Sequence, residues 1–159
     1  MRHSRVEIQG NGRGKVSSVT QIMTDRGFQN AAATEVFVDL ETALATRDAT
    51  QLNIDLPGEA DVAELRPILS GTATIRIHFA GFSDGRGFSQ ARLLRLWGYC
   101  NSLRASGLIA DQYAMARRSG FDAVDVSPSL AARQPETQWL ARADWQANDY
   151  QTRLRQNAG

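Results

Sequence analysis

The most specific chemistry in the chain lies in Phe82-Ser83-Asp84-Gly85-Arg86-Gly87-Phe88-Ser89. Glycines on both sides of an arginine let the backbone take positive φ or approach a ligand closely. Where such a turn opens a helix, free amides and the helix dipole favour an anion. Asp84, Gly85, Arg86, Gly87, Ser89 and Arg92 are therefore the candidate anion-binding residues, for sulfite, phosphate or a carboxylate. The same residues also fit a tight turn held by Asp84, with Arg92 and Arg95 on a solvated helix face. The segment is not a P-loop, since it lacks GxxxxGK[ST]. Gln90 stands where a dinucleotide-binding fingerprint needs its third glycine.

A second segment runs from Ser106 to Asp122. Asp111 and Gln112 sit at a helix start, and Arg117 and Arg118 in the last turn, where the dipole favours those charges. Asp111 and Gln112 can lie beside Arg86 at the end of the sheet. Arg117 and Arg118 would lie at the far end of their helix, suited to holding Asp122 or a partner surface. Arg95, Asp111, Gln112, Arg117, Arg118 and Asp122 are thus supporting or partner-surface candidates.

Other chemistries find few residues. The single cysteine, Cys100, rules out an intrachain disulfide or an all-protein zinc or iron–sulfur cluster, and its place after an apolar run predicts a buried thiol. His3 and His78 form no metal-binding pair. His78 falls on a strand and reads as a packed or hydrogen-bonded side chain. Trp97, Trp139 and Trp145 read as packing residues. No nucleophile–base pair is evident, no catalytic residue or metal site is assigned, and no pattern indicates a cofactor.

The elements that must position these residues follow from periodicity. Val36–Val38, Gln51–Leu56, Thr72–Phe79, Ser102–Ser106 and Ala123–Val126 read as strands. Along Thr72–Phe79, Ile75, Ile77 and Phe79 share one side and Thr74, Arg76 and His78 the other. Helices are expected after Asp61 as N-cap, over Ser89–Tyr99, over Ala110–Ser119 up to a Gly120 C-cap, and from Pro135 with Trp139, Ala143, Ala147 and Tyr150 along one face. Strands alternating with helices predict a small α/β domain with a mostly parallel sheet, either open or half-barrel-like. Its ligand edge would gather Pro57–Asp61, Gly81–Ser89 and Ser106–Asp111.

At 159 residues one domain is expected. Residues 1–20 are Gly-rich and polar and read as a flexible extension before a domain over 21–159. Seventeen arginines and one lysine face 17 acids, so no general nucleic-acid coat is implied. The charge is uneven: residues 16–75 carry −6 and residues 76–118 carry +5. No apolar run is long enough to span a membrane and no secretory leader is visible, so a cytoplasmic protein is expected. An open sheet edge or half barrel usually needs cover, which points to a homodimer.

Together the two segments resemble a bacterial domain-of-unknown-function family described as probable oxidoreductases of sulfite reduction and encoded beside assimilatory sulfite reductase. The resemblance rests on Phe82–Ser89, Ala91-Arg92-Leu93-Leu94-Arg95, Leu103-Arg104-Ala105, Asp111-Gln112 and Arg117–Asp122, with looser likeness at Ile22–Phe28 and Tyr150-Gln151. It covers about residues 20–151. It implies an accessory protein or oxidoreductase of sulfite reduction, with sulfite reductase as a partner, but brings no established reaction. The family often has a cysteine before the Gly-Phe-Asp stretch, where this chain has Ser119. Two other functions fit the residues: a non-catalytic module docking on sulfite reductase through its complementary charged halves, and an enzyme acting on a phosphorylated substrate with Asp111 or Asp55 facing the turn.

Overall fold

The computed structural model describes residues 20–46, 50–81 and 84–146. The expected N-terminal extension, and Ala147 and Tyr150 of the expected last helix, lie outside them. The strands are β1 (Gln21–Thr24), β2 (Gly27–Asn30), β3 (Phe37–Asp39), β4 (Asn53–Pro57), β5 (Thr74–His78), β6 (Ser102–Ser106) and β7 (Ala123–Val126). The α-helices are α1 (Leu40–Ala45), α2 (Arg86–Leu96), α3 (Tyr113–Ser119), α4 (Pro128–Arg133) and α5 (Glu136–Leu140). A 3₁₀ helix, Val62–Gly71, connects β4 to β5.

All seven strands form one sheet, ordered β2-β1-β7-β6-β5-β4-β3. From β3 to β7 they are parallel and follow the order of the chain. Right-handed crossovers that always step the same way put every connecting helix on one face. The sequence pattern matches this. Leu56, Ile77, Ala105, Val124 and Met23 form one row across five strands, each fully buried under the helices. The helices contribute Leu65 and Leu69, Phe88, Ala91 and Leu94, and Tyr113 and Ala116 to that core. The opposite face is polar.

The hairpin of β1 and β2 joins antiparallel to β7, so the chain must then travel to β3 at the other edge. Seven residue steps from Asn30 to Phe37 span at most about 25 Å. Six strand spacings in a flat sheet measure about 29 Å. The sheet therefore curves, and the 31–36 segment crosses its concave, helix-free face as a strap. Ala31, Ala32 and Glu35 border a cavity of about 340 Å³ on that face.

The fold is thus the expected small α/β domain with alternating βα units, extended by an antiparallel hairpin. Several elements differ from expectation. Helix α2 begins at Arg86 rather than Ser89, because Asp84 accepts the Arg86 amide at 3.1 Å and starts the turn earlier. The helix after Asp61 is 3₁₀, with Pro67 in its interior lacking an amide donor. The last helix stops at Leu140, where Arg142 turns away to pair with Asp111 and Trp145 donates to Asp25. Cys100 is exposed, not buried, since Gly98 at φ +92° turns the chain and Tyr99 takes the inward position. No helix among the described residues is long and apolar enough to cross a membrane.

Candidate functional site

The C-terminal ends of the parallel strands bring the three expected segments together. A methyl group on Gly58 would stand 2.7 Å from the His78 carbonyl and 3.6 Å from Asp84 Oδ2. Gln90 from α2 donates to the Gly58 carbonyl at 2.8 Å and to that of Ala60, tying the β4 loop to the helix. Gly87 is seated against the Phe79 ring, where a side chain has no room. Gly107, at φ +89°, lies against the Phe79 carbonyl. These close approaches explain the glycines at 58, 87 and 107.

At this edge Arg86 folds back onto Asp84. Its Nε donates to Oδ1 at 3.1 Å and its Nη2 to Oδ2 at 3.2 Å. The Asp84 carboxyl is held below its usual range by the Arg86 side-chain hydrogen bonds, then by the Arg86 amide. Arg86 remains 64% exposed along its side chain, so the guanidinium is presented to solvent beside the helix start. Ser89 and Arg92 are exposed on the same helix, and Phe82 and Ser83 lie outside the described residues.

The supporting candidates are placed elsewhere. Arg95 lies nine residues after Arg86, about 14 Å along the axis. It donates to the Gly120, Tyr99 and Asn101 carbonyls and pairs with Asp122 at 2.7 Å. Asp122 is thus held by Arg95 rather than by Arg117 or Arg118, and it also accepts the Leu103 amide. Arg117 grips Asp25 in the hairpin turn through Nε at 3.1 Å and Nη2 at 2.9 Å. Tyr113 Oη donates to the same carboxylate at 2.5 Å and Trp145 Nε1 at 3.2 Å. Burial alone would raise the Asp25 carboxyl, but these donors outweigh it and hold it low. Burial, then the Asp25 carboxylate, pushes the Tyr113 hydroxyl up. Arg118 contacts the Trp145 carbonyl at 3.4 Å. Asp111 pairs with Arg142 at 2.9 Å, and Gln112 accepts the Ile109 amide at 3.2 Å. Arg86 is therefore not joined by these residues; they fix α3, the hairpin and the C-terminal segment.

The helix-free face carries a larger ionic cluster that sequence patterning only partly exposed. Arg76 on β5 donates to Asp55 on β4 through Nε at 2.6 Å and Nη2 at 2.8 Å, and through Nη1 to Asp125 on β7 at 2.9 Å. Arg104 on β6 donates through Nη2 to Glu35 of the strap at 2.7 Å. Its Nε stands 3.2 Å from Asp125 Oδ1, close as an ion pair but misaligned for a hydrogen bond. Arg104 and Asp125 are almost fully buried. Phe37 of β3 lies under both guanidinium groups, 3.8 Å from Arg76 and 5.1 Å from Arg104. His78 Nε2 lies 3.0 Å from Asp55 Oδ1, so the cluster reaches the C-terminal edge. Burial would raise the Asp55 carboxyl, but Arg76 and then His78 reverse this and hold it below its usual range. The readable signal was the alternation that put Arg76 and His78 opposite Ile75 and Ile77. Asp55, Arg104 and Asp125 occupy the equivalent face of their own strands, which single-strand patterns do not connect.

The fold and this layer define a singly wound α/β domain whose open face is filled by arginine–carboxylate pairs instead of the aliphatic side chains that usually line a barrel. A family model for a bacterial protein of unknown function (DUF934) matches residues 53–159. The chain belongs to that family. No curated protein and no solved structure matches it. The matched region contains β4–β7 and α2–α5, whereas the hairpin, the strap and β3 precede it.

Proposed function

We propose that this chain is an accessory component of assimilatory sulfite reduction that binds a small oxyanion, sulfite first, at the Asp84-Gly85-Arg86-Gly87 turn. The observation that carries this reading is the solvent-facing Arg86 guanidinium at the start of α2, beside the junction of three loops. Its pairing with Asp84 does not exclude an anion. A solvent-exposed pair of this kind is weak, so an oxyanion can compete with Asp84 for the guanidinium. The link to sulfite reduction rests on the resemblance of the central motif. Calorimetric titration with sulfite, sulfate and phosphate tests the site. Arg86→Ala is expected to weaken sulfite binding by roughly tenfold or more, the loss of a charged hydrogen bond. Equal or undetectable binding by both proteins refutes it.

A second reading, a non-catalytic module that docks on sulfite reductase, is supported by Leu93 and Leu96 of α2 and Met115 of α3, exposed at 41%, 79% and 50%. Co-purification of sulfite reductase from cells at low and high salt tests it: docking through the complementary charged halves weakens as salt rises, an apolar contact through these residues persists, and no co-purification at low salt refutes the reading. The third reading, chemistry on a phosphorylated substrate, requires an acid at reacting distance from the turn. Asp111 is committed to Arg142, and Asp55 to Arg76.

A further inference from the structure

At the opposite, N-terminal end of the parallel strands lies a cavity of about 600 Å³, within the usual size range of small-molecule sites. Its wall includes Arg66, Leu69, Ser70, Trp97, Cys100 and Asn101, and no carboxylate. We propose that it binds a small organic anion, a carboxylate or sulfonate on a flat apolar body, with Arg66 holding the charged head. Arg66 differs from the arginines that are committed to carboxylates. Arg76, Arg86, Arg95, Arg104, Arg117 and Arg142 each pair with a carboxylate within 3.2 Å. Arg66 instead stacks on Trp97, with its guanidinium carbon 4.2 Å from the ring centre. Stacking occupies a face of the guanidinium and leaves its in-plane N–H donors free. A planar donor fork held flat by an indole is suited to a bidentate oxyanion. Leu69 and Trp97 supply apolar surface for the body of the ligand, and the Ser70 hydroxyl a further donor. The site is separate from the Arg86 turn, so the two stand or fall independently.

Cys100 is the sole cysteine and is exposed on this wall, which makes its alkylation rate a local reporter. The intact chain is treated with a neutral maleimide at constant ionic strength, with benzenesulfonate, sulfate or benzylamine added. Tryptophan fluorescence is followed in parallel. Benzenesulfonate is expected to slow Cys100 alkylation in the wild type and in Arg133→Gln, an exposed control on α4. Arg66→Gln is expected to raise the half-effective concentration by roughly 10- to 150-fold, the equivalent of a lost charged hydrogen bond. Unchanged protection in Arg66→Gln overturns the proposal, as does equal protection by benzylamine. Protection by sulfate as strong as by benzenesulfonate overturns the organic-anion assignment. An unaltered alkylation rate and fluorescence at millimolar benzenesulfonate overturn the site altogether.

Discussion

Asp125→Ala removes the acid shared by the half-buried Arg76 and the buried Arg104 on the open face. Asp125 stands 2.9 Å from Arg76 Nη1 and 3.2 Å from Arg104 Nε. With an effective dielectric constant near 20, each such pair is worth about 5–6 kcal/mol of attraction. Much of that is cancelled by the cost of taking the carboxylate out of water. What the variant exposes is the uncompensated charge left behind. Arg76 keeps Asp55, but Arg104, whose side chain is only 6% exposed, keeps Glu35 alone. Breaking one partner of a buried pair costs roughly 3–5 kcal/mol. In a domain of this size that corresponds to a fall in Tm of roughly 6–20 °C. Urea unfolding with linear extrapolation measures the loss directly. The double variant Arg104→Met with Asp125→Leu removes both buried charges at similar volume and is expected to lose less than Asp125→Ala alone. A loss below about 1 kcal/mol for Asp125→Ala, or a double variant less stable than the single one, would refute the assignment of an uncompensated Arg104 charge.

Gly107→Ala is expected to destabilise by roughly 1–3 kcal/mol, since φ is +89° and the new methyl meets the Phe79 carbonyl; Gly85→Ala, at φ −91° with open space around it, is the comparison and should cost less in the same denaturation assay. Asp25 and Asp55 have folded-state pKa values below their unfolded ones, so their stabilisation is full above about pH 4 and is lost as pH falls through the folded values. Asp25→Asn should therefore flatten the acid limb of a stability–pH curve, and an unchanged limb would count against the Arg117–Tyr113–Trp145 grip. A homodimer at micromolar concentration is expected from the open edges at β2 and β3; a monomeric mass by light scattering contradicts it.

Much of the fold was legible from local pattern. The alternation of Thr72–Phe79 gave both faces of β5 correctly, and Gly120 marks the end of α3 at φ +112°. Asp61 caps a helix as its position suggests, through the Ala63 amide at 2.9 Å. The hairpin Gln21–Asn30 was not legible, because its strands have four residues each and a turn of Asp25-Arg26 without the usual glycine pair. The curvature and the strap follow from strand order, which no local window contains. At the candidate site, the glycine turn stood out because its residue types are unusual together. The ionic layer did not, because Asp55, Arg76, Arg104 and Asp125 are scattered over 70 residues and are neighbours only through the sheet register. Arg95 and Arg117 show the limit in the other direction. Helical spacing groups Arg95 with Arg92, yet its long stem carries the guanidinium to the carbonyls beyond the helix end.

The hairpin of β1 and β2 docks on β7, the last of the described strands in sequence. Gln21 pairs with Val126, more than a hundred residues apart. During synthesis the hairpin therefore emerges with no strand to join until β7 has been made. Met23, fully buried in the finished sheet, stays exposed for that interval. Closing so distant a contact is slow compared with forming the neighbouring βα units. The parallel core has time to assemble first, and the antiparallel edge is added to it at the end. A nascent chain stalled before Ala123 would leave one hydrophobic hairpin and one bare strand edge, the kind of intermediate that chaperones bind.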